Sequence, residues 1–153
     1  MTRASQIPTR WLDQGAVQAL LCFRVPTRRQ AGLVEVAFKR YVADRTDWRK
    51  LLVGDPEPLD LKARQHDLLD RCGNEIGKNM PADEQPVTLL VDEEAHAFVY
   101  PVLTYPTRVS SFNLDKTARI EGTLLGIKGQ YVILDTGVLN IRKFAGYYVT
   151  LTV

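Results

Sequence analysis

GIKGQYVILDTGVLNIRK, residues 126–143, decides the fold of the C-terminal part of the chain. Apolar and polar residues alternate along it, glycines punctuate it, and two adjacent cations, Arg142 and Lys143, close it. A period of two puts successive side chains on opposite faces, so the stretch predicts a β-hairpin. Asp135-Thr136-Gly137 predicts a three-residue loop, a turn followed by a left-handed glycine. Val132, Leu134 and Val138 are candidates for one shared face, with the register left open. The hairpin is either a self-contained structural element or a surface that grips a partner.

Outward from the hairpin, VTLLV, HAFVYPVLTY, RIEGTLLGI, QYVILD, VLNIRK and YYVTLTV all read as short strands. Turns are expected at Asp92-Glu93, Pro106, Lys128-Gly129, Thr136-Gly137 and Ala145-Gly146. The first half of the chain differs. IPTRWLDQGA reads as a short helix, with Pro8 in its first turn and Gly15 just past its end. Residues 17–25 form a strand candidate. Thr27 caps a helix that is expected to run to about Asp44, with Ala31, Val34, Ala37, Phe38, Tyr41 and Val42 on one face. Asp47 caps a second short helix, DWRKLLV, and residues 59–76 resume a helical pattern through Leu61, Leu68, Leu69, Cys72 and Ile76. The fold class is therefore α+β: a helix-rich N-terminal half followed by a small antiparallel β-sheet or barrel. The expected division is a mixed α/β lobe at 1–76, a linker at 77–86 and an antiparallel β lobe at 87–153.

The 153 residues suffice for one core or two small lobes. No apolar run reaches the roughly 20 residues of a membrane helix, and MTRASQIPTRW has no apolar signal region. Two separated cysteines, Cys22 and Cys72, fit a cytoplasmic protein with reduced thiols. The net charge of +2 conceals an asymmetry. Residues 1–50 hold ten Lys/Arg against four Asp/Glu, residues 51–100 four against eleven, and residues 101–153 six against three. Basic ends favour a polyanionic partner, DNA or RNA; alternatively, the acidic middle neutralises them within the fold.

Lys128, Arg142 and Lys143 lie near Tyr131, Phe144, Tyr147 and Tyr148 in sequence. Cations interleaved with aromatic rings suit single-stranded nucleic acid, since the cations neutralise phosphate and the rings stack on bases. The competing reading places the rings in a core and leaves the cations solvated. A second basic surface is expected around Arg10, Arg28, Arg29 and the helix that follows.

EGTLLGIKGQYVILDTGVLNIRKFAGYYV, preceded by YPTRVSSFNLDK, resembles the C-terminal signature of an uncharacterised prokaryotic family, a domain of unknown function. IPTRWLDQGAVQA and RVPTRRQAGLVEVAFKRYVADRTDWRKLL resemble the same family's central part. Its members usually carry a further segment upstream, which this chain lacks; Met1 is either the natural start or an internal methionine. The order of Thr2-Arg3, a helix with an arginine, a strand, and a helix with AGLVE also resembles a GIY-YIG nuclease fold without its first strands. That likeness implies Arg10 as the catalytic arginine facing the scissile phosphate. It implies Glu35 as the ligand of a divalent metal such as magnesium. The chemistry would be metal-dependent phosphodiester cleavage, in which a cation balances developing charge and a metal activates water. The catalytic tyrosines would lie upstream of Met1, so this chain is not expected to be an enzyme on its own.

Other groupings are plainer. His66 and Asp70 have one-turn helical spacing but sit among charged residues, and DEEAH (92–96) reads as an acidic turn. No paired-cysteine zinc motif, phosphate-binding glycine loop or nucleophile elbow is present. A third reading is a protein-interaction module: missing N-terminal strands would leave a sheet edge open to strand addition or to homodimer formation.

Overall fold

A computed structural model describes residues 6–43 and 45–153 of the chain. Thr2-Arg3, the start of the expected nuclease-like order, and Asp44, the expected helix end, lie outside the described residues. The fold is α+β, with four α-helices and small antiparallel ladders among the described residues. The chain divides into two compact units, each assembled from three separate stretches. The first unit comprises Met1–Ile7, Val17–Thr46 and Glu57–Phe98, and the second Pro8–Ala16, Asp47–Pro56 and Val99–Val153.

In the first unit, residues 17–25 do not form one strand. They make two short segments, β1 (Gln18–Ala19) and β2 (Phe23–Arg24). β2 pairs antiparallel with β3 (Thr88–Leu89), and β1 with β4 (His96–Ala97). The helix α2 (Arg28–Phe38) begins at a capping box: the Thr27 side chain accepts from the Gln30 amide, and the Gln30 side chain accepts from the Thr27 amide. The helix stops at Phe38, short of the expected end. Tyr41 and Val42 beyond it stay exposed, so no buried face rewards further turns. Asp60 caps α4 (Leu61–Asn79), its carboxylate accepting from the Ala63 amide at 2.9 Å. Val34 and Ala37 of α2 pack on Cys72 and Ile76 of α4, with Phe23, Val25, Phe38 and Met80 around them. This is the three-four spacing seen in the sequence, realised as one helix-helix seam.

The second unit is built on the hairpin stretch. β5 (Leu124–Lys128), β6 (Tyr131–Leu134) and β7 (Gly137–Asn140) form an open antiparallel sheet in that order; no closed barrel forms. Leu134 pairs with Gly137, so the β6–β7 loop is only Asp135-Thr136, one residue shorter than expected. Opposite residues share a face, and Ile133 faces Val138. The buried face therefore carries Tyr131, Ile133 and Val138, and the expected grouping of Val132 and Leu134 with Val138 is off by one residue. Leu52 of α3 (Trp48–Leu52) completes this core, with Trp48, Leu51, Val102, Tyr105, Val109 and Leu125 around it. Single bridges from Val102 to Gly126 and from Ser111 to Val138 touch the two outer strands. Of HAFVYPVLTY only His96–Ala97 is strand, and Pro101 has no N–H to donate to a ladder. YYVTLTV forms no strand, and Tyr148, Val149 and Leu151 are exposed.

The helix α1 (Ile7–Asp13) ends as the sequence predicts. Ala16 N–H reaches Trp11 O at 3.1 Å, Gly15 N–H reaches Leu12 O at 3.0 Å, and Gly15 has φ of +73°. This helix end lies against the two-residue β5–β6 turn. A Cβ at Gly129, whose φ is +58°, would stand 2.7 Å from Gly15 N and 2.8 Å from Asp13 O. Only glycine fits there.

Candidate nucleic-acid interface

Lys128, the last residue of β5, is the expected surface cation that the fold buries completely. Its Nζ donates to Asp55 Oδ1 at 2.6 Å and to Gly54 O at 3.2 Å. The remaining side of the ammonium faces rings, 4.9 Å from the centroid of Tyr105 and 5.9 Å from that of Tyr100. Tyr105 Oη donates to the same Asp55 oxygen at 2.7 Å, and Tyr100 Oη donates to Ala16 O at 2.8 Å. The hydrogen bond from Lys128 is the main cause holding the Asp55 carboxyl below its ordinary range. Burial first, and then the bond to Asp55, pushes the Tyr105 phenol up. Every donor in this network is satisfied internally, so Lys128 has no charge to offer a phosphate. Tyr131 is buried too and lies parallel to Trp48, with centroids 6.0 Å apart. The expectation of Lys128 and Tyr131 as contact residues is corrected: alternation points both into the core.

Arg142 and Lys143 meet the opposite fate. They sit on a 3-10 turn, Arg142–Phe144, that directly follows β7, and both are exposed. Asn140 Oδ1 accepts from the Lys143 amide at 3.1 Å and fixes the start of the turn. Lys143 Nζ lies 5.1 Å from the Phe144 ring, and Tyr147 meets Phe144 edge-on at 5.4 Å. Tyr147 is half exposed and donates its hydroxyl to Asp115, which raises its pKa. Tyr148 is fully exposed.

The second unit uses its charges unevenly. Asp47 accepts from the Arg49 and Lys50 amides, Asp55 from Lys128 and Tyr105, Asp115 from Tyr147, and Asp135 from the Thr123 amide; Glu121 pairs with Arg119. Among the described residues, Arg10, Arg49, Lys50, Arg108, Lys116, Arg142 and Lys143 carry no ion pair with a carboxylate. Three of these cations line an open pocket of about 480 Å³: Arg49, Lys50 and Arg108, together with Val53, Thr107 and Val109.

The other expected residues fall elsewhere. Arg10 is exposed in the last turn of α1, in the second unit. Glu35 is exposed on α2, in the first unit, where Arg28 and Arg29 form the first turn of the same helix. Arg29 reaches Glu84 at 3.5 Å, and Arg28 carries no ion pair among the described residues. No group of three or more His, Cys, Asp or Glu that could hold a metal occurs among the described residues. His66 and Asp70 form an exposed pair at 3.2 Å on α4. Cys22 and Cys72 are not bonded to each other. No helix among the described residues is long and apolar enough to cross a membrane.

Sequence reasoning missed Arg49, Lys50 and Arg108 as a group, and the Asp55, Tyr100 and Tyr105 shell of Lys128. The adjacent cations in DWRKLLV were a signal, but Arg108 joins them only through folding. The model of a family described as protein of unknown function (DUF2797) matches residues 1–149 of the chain. No curated protein and no solved structure matches it.

Proposed function

The chain belongs to the DUF2797 family of proteins of unknown function, and we propose that it binds single-stranded nucleic acid through the exposed cations of its second unit. The observation that supports this reading is the uneven use of charge. The unit's carboxylates are mostly turned to internal partners, while seven of its cations have no carboxylate partner among the described residues. Such a surface attracts polyanions and gains affinity by releasing their counterions. Arg142 and Lys143 are exposed and lie within six residues of the half-exposed Tyr147 and the fully exposed Tyr148, so phosphate neutralisation and base stacking are available on one short stretch.

The test is fluorescence anisotropy of a dye-labelled oligothymidylate, with wild-type protein and the Arg142→Ala, Lys143→Ala double variant. Each phosphate neutralised on a single strand contributes roughly −0.7 to the slope of log K against log salt. The double variant should lose about 1.4 of that slope. Tyr148→Ala should weaken binding by roughly 1–3 kcal/mol with the slope kept, as expected for a stacking residue. A double variant with wild-type slope and affinity would remove this surface from the account.

A further inference from the structure

We propose that the Arg49–Lys50–Arg108 pocket is a binding site for a phosphate monoester dianion, either free or at the end of a nucleic-acid strand. In the second case it deepens the reading above; in the first it stands without it.

Three cations line one open concavity, and its remaining lining is Thr107, Val53 and Val109. None of the three has a carboxylate partner among the described residues. The nearest acid in sequence, Asp47, turns its Oδ1 to the Arg49 and Lys50 amides at 3.2 and 3.4 Å, and so serves as the cap of α3. Arg49 is held in place: its guanidinium lies 4.4 Å from the Trp48 centroid, and Trp48 stacks on the buried Tyr131. A guanidinium braced on a fixed ring loses less freedom on binding and keeps its fork of donors for an oxyanion. Thr107 adds a hydroxyl that can donate to a phosphate oxygen.

Charge selects the ligand. A phosphate monoester carries nearly two negative charges at neutral pH, against one for an internal phosphodiester. Three cations without an ion pair favour the former. The depression is open to solvent, and Val53 and Val109 in its lining offer apolar surface to the organic group that carries the phosphate.

The test uses the full chain and the Lys50→Gln, Arg108→Gln double variant, whose two positions are exposed and outside the core. Phenyl phosphate, a simple monoester, is titrated by calorimetry at low salt. Oligothymidylates with and without a terminal phosphate are titrated by anisotropy. Wild-type protein should bind phenyl phosphate and the variant should bind it at least tenfold more weakly. A wild-type preference for the phosphorylated strand, lost in the variant, identifies a strand end as the ligand. Phenyl phosphate binding lost in the variant, with neither strand bound by wild type, identifies a free phosphate ester and refutes the function proposed above. Absence of phenyl phosphate binding by wild type, or equal binding by the variant, overturns the site, whatever the strands do.

Discussion

Two substitutions in one ion pair should differ sharply in cost. Lys128 is wholly buried, while the Asp55 side chain is 58% exposed. Asp55→Ala leaves a buried ammonium with only the Gly54 carbonyl at 3.2 Å and two tyrosine rings, and it strips Tyr105 of its acceptor. Removing one partner of a buried pair costs about 3–5 kcal/mol; the exposure of Asp55 and the partners that remain favour the lower end, about 3 kcal/mol. Lys128→Met removes the buried charge itself and keeps an unbranched stem of similar reach. The Asp55 carboxylate then takes water, and Tyr105 keeps its hydrogen bond. That exchange should cost about 1 kcal/mol, because an apolar replacement no longer bears the desolvation of an ion. Urea unfolding followed by tryptophan fluorescence reads this unit specifically, since Trp11 and Trp48 both belong to it. Equal losses for the two variants, or a larger loss for Lys128→Met, would refute the claim that the buried ammonium is the costly member of the pair.

The same pair sets a dependence on pH. Asp55 has a lowered folded pKa, so its contribution is complete above the unfolded carboxyl value of about 3.9 and is lost as pH falls through the folded value. The stability difference between wild type and Asp55→Ala should be constant from pH 7 to 5 and shrink below pH 4; a difference unchanged down to pH 2.5 would contradict it. Gly129→Ala combines a positive φ with a Cβ 2.7 Å from a backbone nitrogen. It should cost at least about 2 kcal/mol in the same urea assay, and a neutral result would mean that the turn and the end of α1 do not touch in solution. Thr27→Ala breaks the capping box of α2 and should lower stability by about 1 kcal/mol in a melt followed by circular dichroism; a loss under 0.3 kcal/mol would count against it.

Local chemistry was legible and long-range pairing was not. Thr27, Asp47 and Gly15 act where the sequence placed them because a cap depends on residues within one turn. That Val34 and Ala37 share one face of α2, and Cys72 and Ile76 one face of α4, follows from helical periodicity; that the two faces meet does not. The hairpin was legible as a hairpin, but its face was not. A loop of two residues instead of three reverses which residues point inward, and that choice rests on packing against Leu52 from a distant stretch. The candidate site failed in the same way. Lys128 and Tyr131 looked like surface partners of Arg142 and Lys143, yet alternation and the Asp55 carboxylate draw Lys128 inward. The pocket cations come from α3 and from residues 107–109, which no local pattern links.

The affinity of the wild-type chain for a 20-nucleotide oligothymidylate between 50 and 200 mM salt tests whether the second unit's exposed cations bind a polyanion. Log K should fall in a straight line with log salt, with a slope of about −2 or steeper, as three or more neutralised phosphates require. No binding at 50 mM salt, or an affinity that stays level across the range, would contradict it.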